Sequence, residues 1–372
     1  MTKKNNIDIV YLWVDGNDPE WRAKRARADK TLSKNCREEM AAYSNVEGRF
    51  RDNDELRYSL RALVKYFPDH GHIYIVTDAQ TPNWLQPHSG LTIIDHRQLI
   101  PAAHLPTFDS GNIESYIHRI AGLSEQYFYF NDDVFFGAPV DVNDWFWPGG
   151  VYTAWSDDAK VEGQTLLPGA TSLENGCRLS AKWLAAHAGN VGRLPDYQHT
   201  PRTFAHAPRP MLKSLCAAIE AVAPDLFSAV RSTRFRVWDK PTIVSDFVPR
   251  WALAHGVARL HDYPHRHVST GDANTALALK SLETDLGALS FFCLNDTLDD
   301  AHHHDPRLMQ ARNALERMFG TPSCFEKALP KLRSDWRVRQ RQRLGALQTA
   351  SHEATENSAS AVQATGEVTD LK

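Results

Sequence analysis

Apolar residues in this chain gather into short runs that stop abruptly at acids. Residues 7–14 (IDIVYLWV) end at Asp15, 73–77 (IYIVT) at Asp78, 91–94 (LTII) at Asp95, and 127–130 (YFYF) at Asn131-Asp132-Asp133. Runs of this length, rich in β-branched and aromatic residues, predict buried strands. Between them the period lengthens. Leu56, Leu60, Leu63, Val64 and Phe67 share one helical face, with Asp52 as predicted N-cap, Glu55 completing a capping box, and Pro68-Asp69-His70-Gly71 as the stop. A charged stretch over 19–42 and residues 112–126 predict two further helices. Strands alternating with helices indicate an α/β fold with a largely parallel sheet. In such sheets ligands bind beyond the carboxyl ends of the strands, where the acids recur here.

Farther along, periodicity weakens. Residues 138–195 are rich in Trp, Gly, Asp and Pro and read as an insertion or lid. Helices are predicted over 209–223 and 241–258, flanking a basic segment from Arg231 to Arg236. An apolar run, 289–294, precedes Asn295-Asp296. Phe325, Leu329, Leu332 and Trp336 fall on one helical face, and 331–344 carries six basic residues against Asp335 alone. That basic helix suits docking on an anionic inner-membrane surface or on assembly partners, or a solvated face packed by Trp336. From 347 the chain lacks aromatics, and the tail is expected to be disordered. The predicted organisation is a catalytic α/β core (1–137 and 196–300), the insertion (138–195), a C-terminal basic helical region (301–346) and the tail (347–372).

Composition changes this picture little. A net charge of −3 over 372 residues argues against a polyanion such as nucleic acid as partner, so an anionic ligand must meet local Arg and Lys. Cys36, Cys177, Cys216, Cys293 and Cys324 are scattered without a CxxC pair. That spacing argues against a disulfide framework or zinc site and fits a reducing compartment. No signal-like stretch and no apolar run of about 18 residues occurs, so a cytoplasmic protein is expected.

The candidate chemistry starts at Asn131-Asp132-Asp133. Paired carboxylates after a buried strand suit Mg²⁺ or Mn²⁺, but acidic turns are common, and local sequence leaves both readings open. Asp15 is a second strand-end acid, able to meet a ribose, a base or a metal-bound water, or simply to form a turn. The segment 49–61 (RFRDNDELRYSLR) reads as a solvated, charge-paired helix face. His206, in a loop near Arg202 and Arg209, is a candidate general base among 17 histidines. Arg234 and Arg236 could clamp a phosphoryl group, with Asp239 to orient one of them. The run His302-His303-His304-Asp305 reads as an exposed loop.

Taken in order, four segments resemble the conserved blocks of the Stealth family of sugar-1-phosphate transferases. They are IDIVYLWVDGNDPEW (7–21); RFRDNDELRYSLRALVKYFP (49–68) through IYIVTDAQTPNWL (73–85) to LPTFDSGNIESYIHRIAGLSEQYFYFNDDVFFG (105–137); HTPRTFAHAPRPML (199–212) with RFRVWDKPTIVSDFV (234–248); and FFCLNDTLD (291–299). The resemblance implies a GT-A-like (Rossmann-like) nucleotide-sugar fold, Mg²⁺ or Mn²⁺, and transfer of hexose 1-phosphate from a UDP-sugar to an oligosaccharide or capsule-chain acceptor, with UMP released. It implies His206 as catalytic base, Arg236 and Asp133 as catalytic, Asp132 and Asp133 as metal ligands, and Asp15, Arg57, Glu114, His118 and Asn295 as donor-binding. Val237-Trp238 stands where family members often place a Ser after the Arg, which points to a different acceptor contact. UDP-GlcNAc is the expected donor. The alternatives are a metal-dependent glycosyltransferase releasing UDP and a non-catalytic sugar-binding protein.

Overall fold

Strand β1 (Ile7–Leu12) is buried at every position, and so is β2 (Ile73–Thr77) beside it. Strands apolar on both faces belong in the middle of a sheet covered on both sides. A computed structural model shows that arrangement. It describes residues 7–32, 38–187, 198–296, 298–301 and 305–328. The sheet runs β3 (Leu91–Asp95), β2, β1, β4 (Gln126–Asn131), β8 (Arg209–Leu212). β1 to β4 are mutually parallel, and β8 joins β4 antiparallel as an edge. From β1 the chain winds outward to β2 and β3, then returns to the other side of β1 as β4. Strand order therefore reverses between β1 and β4, and a crevice opens over their carboxyl ends.

Two smaller sheets complete this face. Immediately after Asp132-Asp133 the chain turns into β5 (Val134–Phe136), which pairs antiparallel with β11 (Phe291–Asn295); β10 (His265–Ser269) lies parallel to β11. Within 138–195, β6 (Phe146–Trp147) and β7 (Gly150–Thr153) form a third sheet with β9 (Ala258–Leu260). The same stretch holds the helix Ser172–His187, whose Trp183 ring meets Phe247 edge-on at 5.0 Å. An aromatic core lies beneath the crevice, with Phe128 edge-on to Phe136 at 5.4 Å and to Trp145 at 5.3 Å. Beyond β1, the Gly16 N–H donates to Phe50 O at 2.7 Å. A Cβ there would lie 2.1 Å from that oxygen, so only glycine allows the approach.

Several elements differ from the sequence expectation, for local reasons. The first helix is Pro19–Lys30, capped by Asp18, rather than 19–42. The next helix is Glu55–Tyr66, but the capping box does not form: Asp54 sits at the N-cap with φ 68°, and Glu55 accepts the Asn53 amide instead. Over 112–126 there is only a short helix, Ser110–Glu114, and a 3-10 turn, Ile117–Arg119. Residues 209–212 form β8 ahead of the helix Lys213–Val222, since Pro208 and Pro210 bar an earlier helical start and an edge strand tolerates proline. Over 241–258 a five-residue π-helix, Ile243–Phe247, precedes the helix Val248–Ala254. Within 301–346, expected to be helical, the described residues form the helix Pro306–Met318.

The chain divides into two compact units, Met1–Glu326 and Lys327–Lys372, and only residues 327 and 328 of the second are described. The predicted basic helix 331–344, the tail after 347, His302 to His304, Cys36 and residues 188–195 of the insertion lie outside the described residues. Among the described residues no helix is long and apolar enough to cross a membrane.

The first unit ends on a buried ion pair. Arg61 Nε donates to Glu326 Oε1 at 2.7 Å and Arg57 Nε to Oε2 at 2.6 Å, and the Arg61 and Glu326 side chains are 4% and 2% exposed. Burial alone would raise the Glu326 carboxyl, but hydrogen bonds from Arg61, the Ser323 amide and Arg57 outweigh it and hold the group near 2, against an ordinary 4.5. A depressed folded-state value contributes stability that is complete above the unfolded value and is lost as pH falls towards the folded one. Urea unfolding should therefore show stability declining from about pH 4.5 towards pH 2, and Glu326→Gln should flatten that decline. Arg61→Ala should cost about 1.5–3 kcal/mol at neutral pH, because it removes charge-assisted hydrogen bonds to both oxygens of the buried carboxylate and leaves Arg57 as its cationic partner.

Candidate active site

The turn from β4 into β5 delivers Asp132 and Asp133 to the crevice. They share a cleft of about 950 Å³ with Arg49, His206, Arg236 and Asn295. His206 precedes β8 on a loop that is held from behind. The Ala205 N–H donates to Ala154 O at 2.9 Å, and the Ser156 N–H to Thr203 O at 2.9 Å. Arg250, wholly buried, donates to Thr200 O at 2.8 Å and Arg202 O at 2.6 Å, and its charge is balanced by Asp246 Oδ1 at 2.7 Å. So fixed, His206 Nε2 lies 3.2 Å from Asp133 Oδ1. The Cys293 thiol on β11 donates to Asp133 Oδ2 at 3.3 Å. With Asp133 ionised, Nε2 carries the ring proton and Nδ1 is left as a base.

Acids concentrate at this end of the cleft. Burial pushes Asp132 well above the usual carboxylate range, and Asp133 and Asp52 push it further. Glu55 is raised in the same way, by burial and then by Asp52 and Asp132. Asp52 is pushed up to about 7 by burial, Asp54 and Asp15. Asp133 is the exception: burial works to raise it, but the adjacent His206 and the hydrogen bonds from His206 and Cys293 leave it lowered. Carboxyl groups that suppress one another's ionisation are relieved by a hard divalent cation, and the oxygen donors of Asp132 and Asp133 fit Mg²⁺ or Mn²⁺.

Cations gather on Ser110. Arg49 Nη2 donates to Ser110 Oγ at 3.1 Å, and Arg236 donates to the same oxygen and, through Nη1, to Ser172 Oγ at 3.2 Å. The Arg236 Nε lies 3.5 Å from Asp109 Oδ1. Burial, with Arg236 adding repulsion, lowers Arg49 to about 9, and its Nε is buried without a partner among the described residues. Two guanidinium groups crowded with a donor to spare suit an anion such as phosphate.

The sequence-predicted residues thus divide. Asp132, Asp133, His206, Arg236, Glu114 and Asn295 line one cleft. Glu114 is buried, raised by that burial, and accepts the Tyr129 hydroxyl at 2.9 Å. Asp15 shapes the loop after β1, accepting the Asn17 N–H at 2.8 Å. Arg57 and His118 lie outside the cleft lining: Arg57 pairs with Glu326, and His118 Nε2 with Glu220 Oε2 at 2.8 Å. Asp239 pairs with Lys240, so Asp109 rather than Asp239 orients Arg236. The expected solvated face over 49–61 is instead largely engaged, with Glu55 and Arg61 buried. Arg49, Ser110, Glu55 and Cys293 were missed. The available signal was the position of Arg49 ahead of the helix start, off its surface face.

Residues 5–33 match Stealth protein CR1, conserved region 1, and residues 49–153 match Stealth protein CR2, conserved region 2. An exopolysaccharide phosphotransferase of Streptomyces coelicolor is 33% identical over 324 residues, covering 86% of this chain and 52% of that protein. The exopolysaccharide phosphotransferase CpsY of Mycobacterium tuberculosis is 31% identical, covering 87% of this chain and 58% of that protein. The chain thus spans about half the length of these curated relatives. Among solved structures, the galactosyltransferase LgtC with donor and acceptor sugar analogs aligns with 89% of this chain and 99% of its own, at 8% identity and a TM-score of 0.38. Mouse xyloside xylosyltransferase 1 aligns with 77% of this chain and 96% of its own, at 8% identity and a TM-score of 0.35.

The support behind His206 can be tested apart from catalysis. Arg250→Ala should lower stability by about 3–5 kcal/mol in urea, because Asp246 is left buried and unpaired. Amide exchange at Ser156 and Ala205, whose N–H groups bond across to and from the loop, should accelerate beyond that of β1. Unchanged exchange there would show that Arg250 does not hold the loop.

Proposed function

The chain belongs to the Stealth family, and on that premise we propose that it transfers a hexosamine 1-phosphate from a UDP-sugar to a sugar hydroxyl of an exopolysaccharide or capsule chain. The observation that carries the reading is the His206–Asp133 pair, set in one cleft with a guanidinium pair suited to phosphate. The acceptor hydroxyl gives its proton to His206 Nδ1 as its oxygen attacks the β-phosphorus of the donor. The bond from that phosphorus to the bridging oxygen of UMP breaks, and a phosphodiester forms. Asp133 holds the ring in the required tautomer and stabilises the imidazolium that results. Arg236 and Arg49 bind the phosphoryl oxygens and stabilise their charge in the transition state. Asp132 and Asp133 would hold Mg²⁺ or Mn²⁺, which when bound neutralises the donor's diphosphate charge. UDP-GlcNAc is the donor we favour, and a peripheral position at the inner membrane is consistent with an exopolysaccharide acceptor.

Incubation with Mg²⁺, an acceptor oligosaccharide and a panel of UDP-sugars should release UMP and give a phosphodiester resonance in phosphorus NMR. UDP release would mark a glycosyltransferase, and no nucleotide release a binding protein. His206→Ala should reduce kcat by about 10²–10⁴-fold with donor affinity nearly unchanged; near-normal turnover would remove His206 from its role. Asp132→Asn should raise the Mg²⁺ concentration needed for half-maximal rate. In the parent protein that concentration should fall as pH rises through about 7, where Asp52 ionises beside the site.

A further inference from the structure

Cys293 has no part in the transfer just described, yet β11 brings its thiol to the catalytic pair. The ligand atoms of Asp133, His206 and Cys293 all lie within 4.8 Å of one another. The closest separations are 3.2 Å from His206 Nε2 to Asp133 Oδ1 and 3.3 Å from Cys293 Sγ to Asp133 Oδ2. Tetrahedral zinc, with bonds of about 2.0–2.1 Å to nitrogen or oxygen and about 2.3 Å to sulfur, places neighbouring donor atoms roughly 3.3–3.6 Å apart. The His206 and Cys293 donors each stand at about that spacing from an Asp133 oxygen, Oδ1 and Oδ2 respectively, and the whole set lies within 4.8 Å, so a small side-chain adjustment brings the three onto one ion. Each is also fixed independently: Cys293 by its register against Val134, Asp133 by the Leu294 N–H bonded to its carbonyl at 2.9 Å, and His206 by the loop that Arg250 holds. Thiolate, imidazole and carboxylate together make a soft, mixed donor set, unlike the all-oxygen set preferred by Mg²⁺.

We propose that Asp133, His206 and Cys293 form an inhibitory site for a thiophilic divalent cation, Zn²⁺ foremost, with the fourth position left to water or a phosphate oxygen. Binding releases the Cys293 thiol proton to solvent and moves the His206 ring proton from Nε2 to Nδ1, with no change of oxidation state. Nδ1 then has no lone pair for the acceptor's proton, and transfer stops. Only this inhibition rests on the phosphotransferase reading; the binding site stands on the geometry.

Co²⁺ titrated into the full chain should produce a near-ultraviolet thiolate-to-cobalt charge-transfer band. Cys293→Ser should abolish the band and weaken Zn²⁺, measured by competition with a chelating dye, by about tenfold or more. His206→Ala should weaken Zn²⁺ comparably, which provides a second variant should Cys293→Ser fail to fold by circular dichroism. A missing band in the parent protein, or a band and Zn²⁺ affinity unchanged in a folded variant, would overturn the site. In the transfer assay with excess Mg²⁺, Zn²⁺ should inhibit the parent more strongly than Cys293→Ser, each relative to its own rate. Equal inhibition would overturn the inhibitory role. A protein that shows the cobalt band but transfers no sugar phosphate would count against the proposed function and leave the binding site standing.

Discussion

Asp52, Glu55 and Asp132 sit so close together, and so far from bulk water, that each suppresses the ionisation of its neighbours. Gathering carboxyl groups that cannot all ionise works against folding unless a cation offsets it. The all-apolar strands beneath it make the strain tolerable. β1 and β2 are buried along their whole length, and the aromatic cluster around Phe128 packs directly under the crevice. The crevice itself follows from the strand-order reversal between β1 and β4, which leaves no crossover above those two strand ends.

Charge separation within the cleft follows from the same geometry. The acids ride on the β4–β5 turn and the start of the helix Glu55–Tyr66, whereas Arg49 and Arg236 meet at Ser110. Opposite charges are thus held apart by their own separate partners rather than cancelling one another. A molecule with a cation-chelating diphosphate would connect the two regions. The loop that carries His206 is positioned by a third device, the buried Arg250–Asp246 pair, in which Arg250 binds two loop carbonyls from behind. Such a pair adds little net stability over an apolar replacement, but breaking it is costly, which makes it suited to fixing a loop.

Burial decides several contacts that pattern along the chain does not reveal. Arg57 and His118 fall within recognisable family segments, yet each is engaged by a distant carboxylate, Glu326 and Glu220, whose proximity no local spacing reveals. The mixed charges of 49–61 looked like a solvated helix face because alternating charge usually marks one. Here Glu55 and Arg61 are buried because the helix is covered on the sides they occupy. Asp52 and Glu55 have the spacing of a capping box, but Asp54 takes a left-handed conformation and Glu55 turns to Asn53.

Hydrophobic runs ending in acids were enough, by themselves, to predict the parallel strands β1 to β4 and to point to their carboxyl ends, because strand burial and strand-end polarity are local properties of a sequence. The ordered segments likewise singled out His206, Asp132, Asp133 and Arg236 as a group. Tertiary structure alone decided that His206 meets Asp133, that Arg49 joins Arg236, and that Cys293, whose spacing argued against a zinc site, lies beside the His206–Asp133 pair. Those contacts join residues dozens to more than a hundred positions apart, and their distances are set by sheet register and by buried ion pairs, neither of which leaves a periodic trace in the chain.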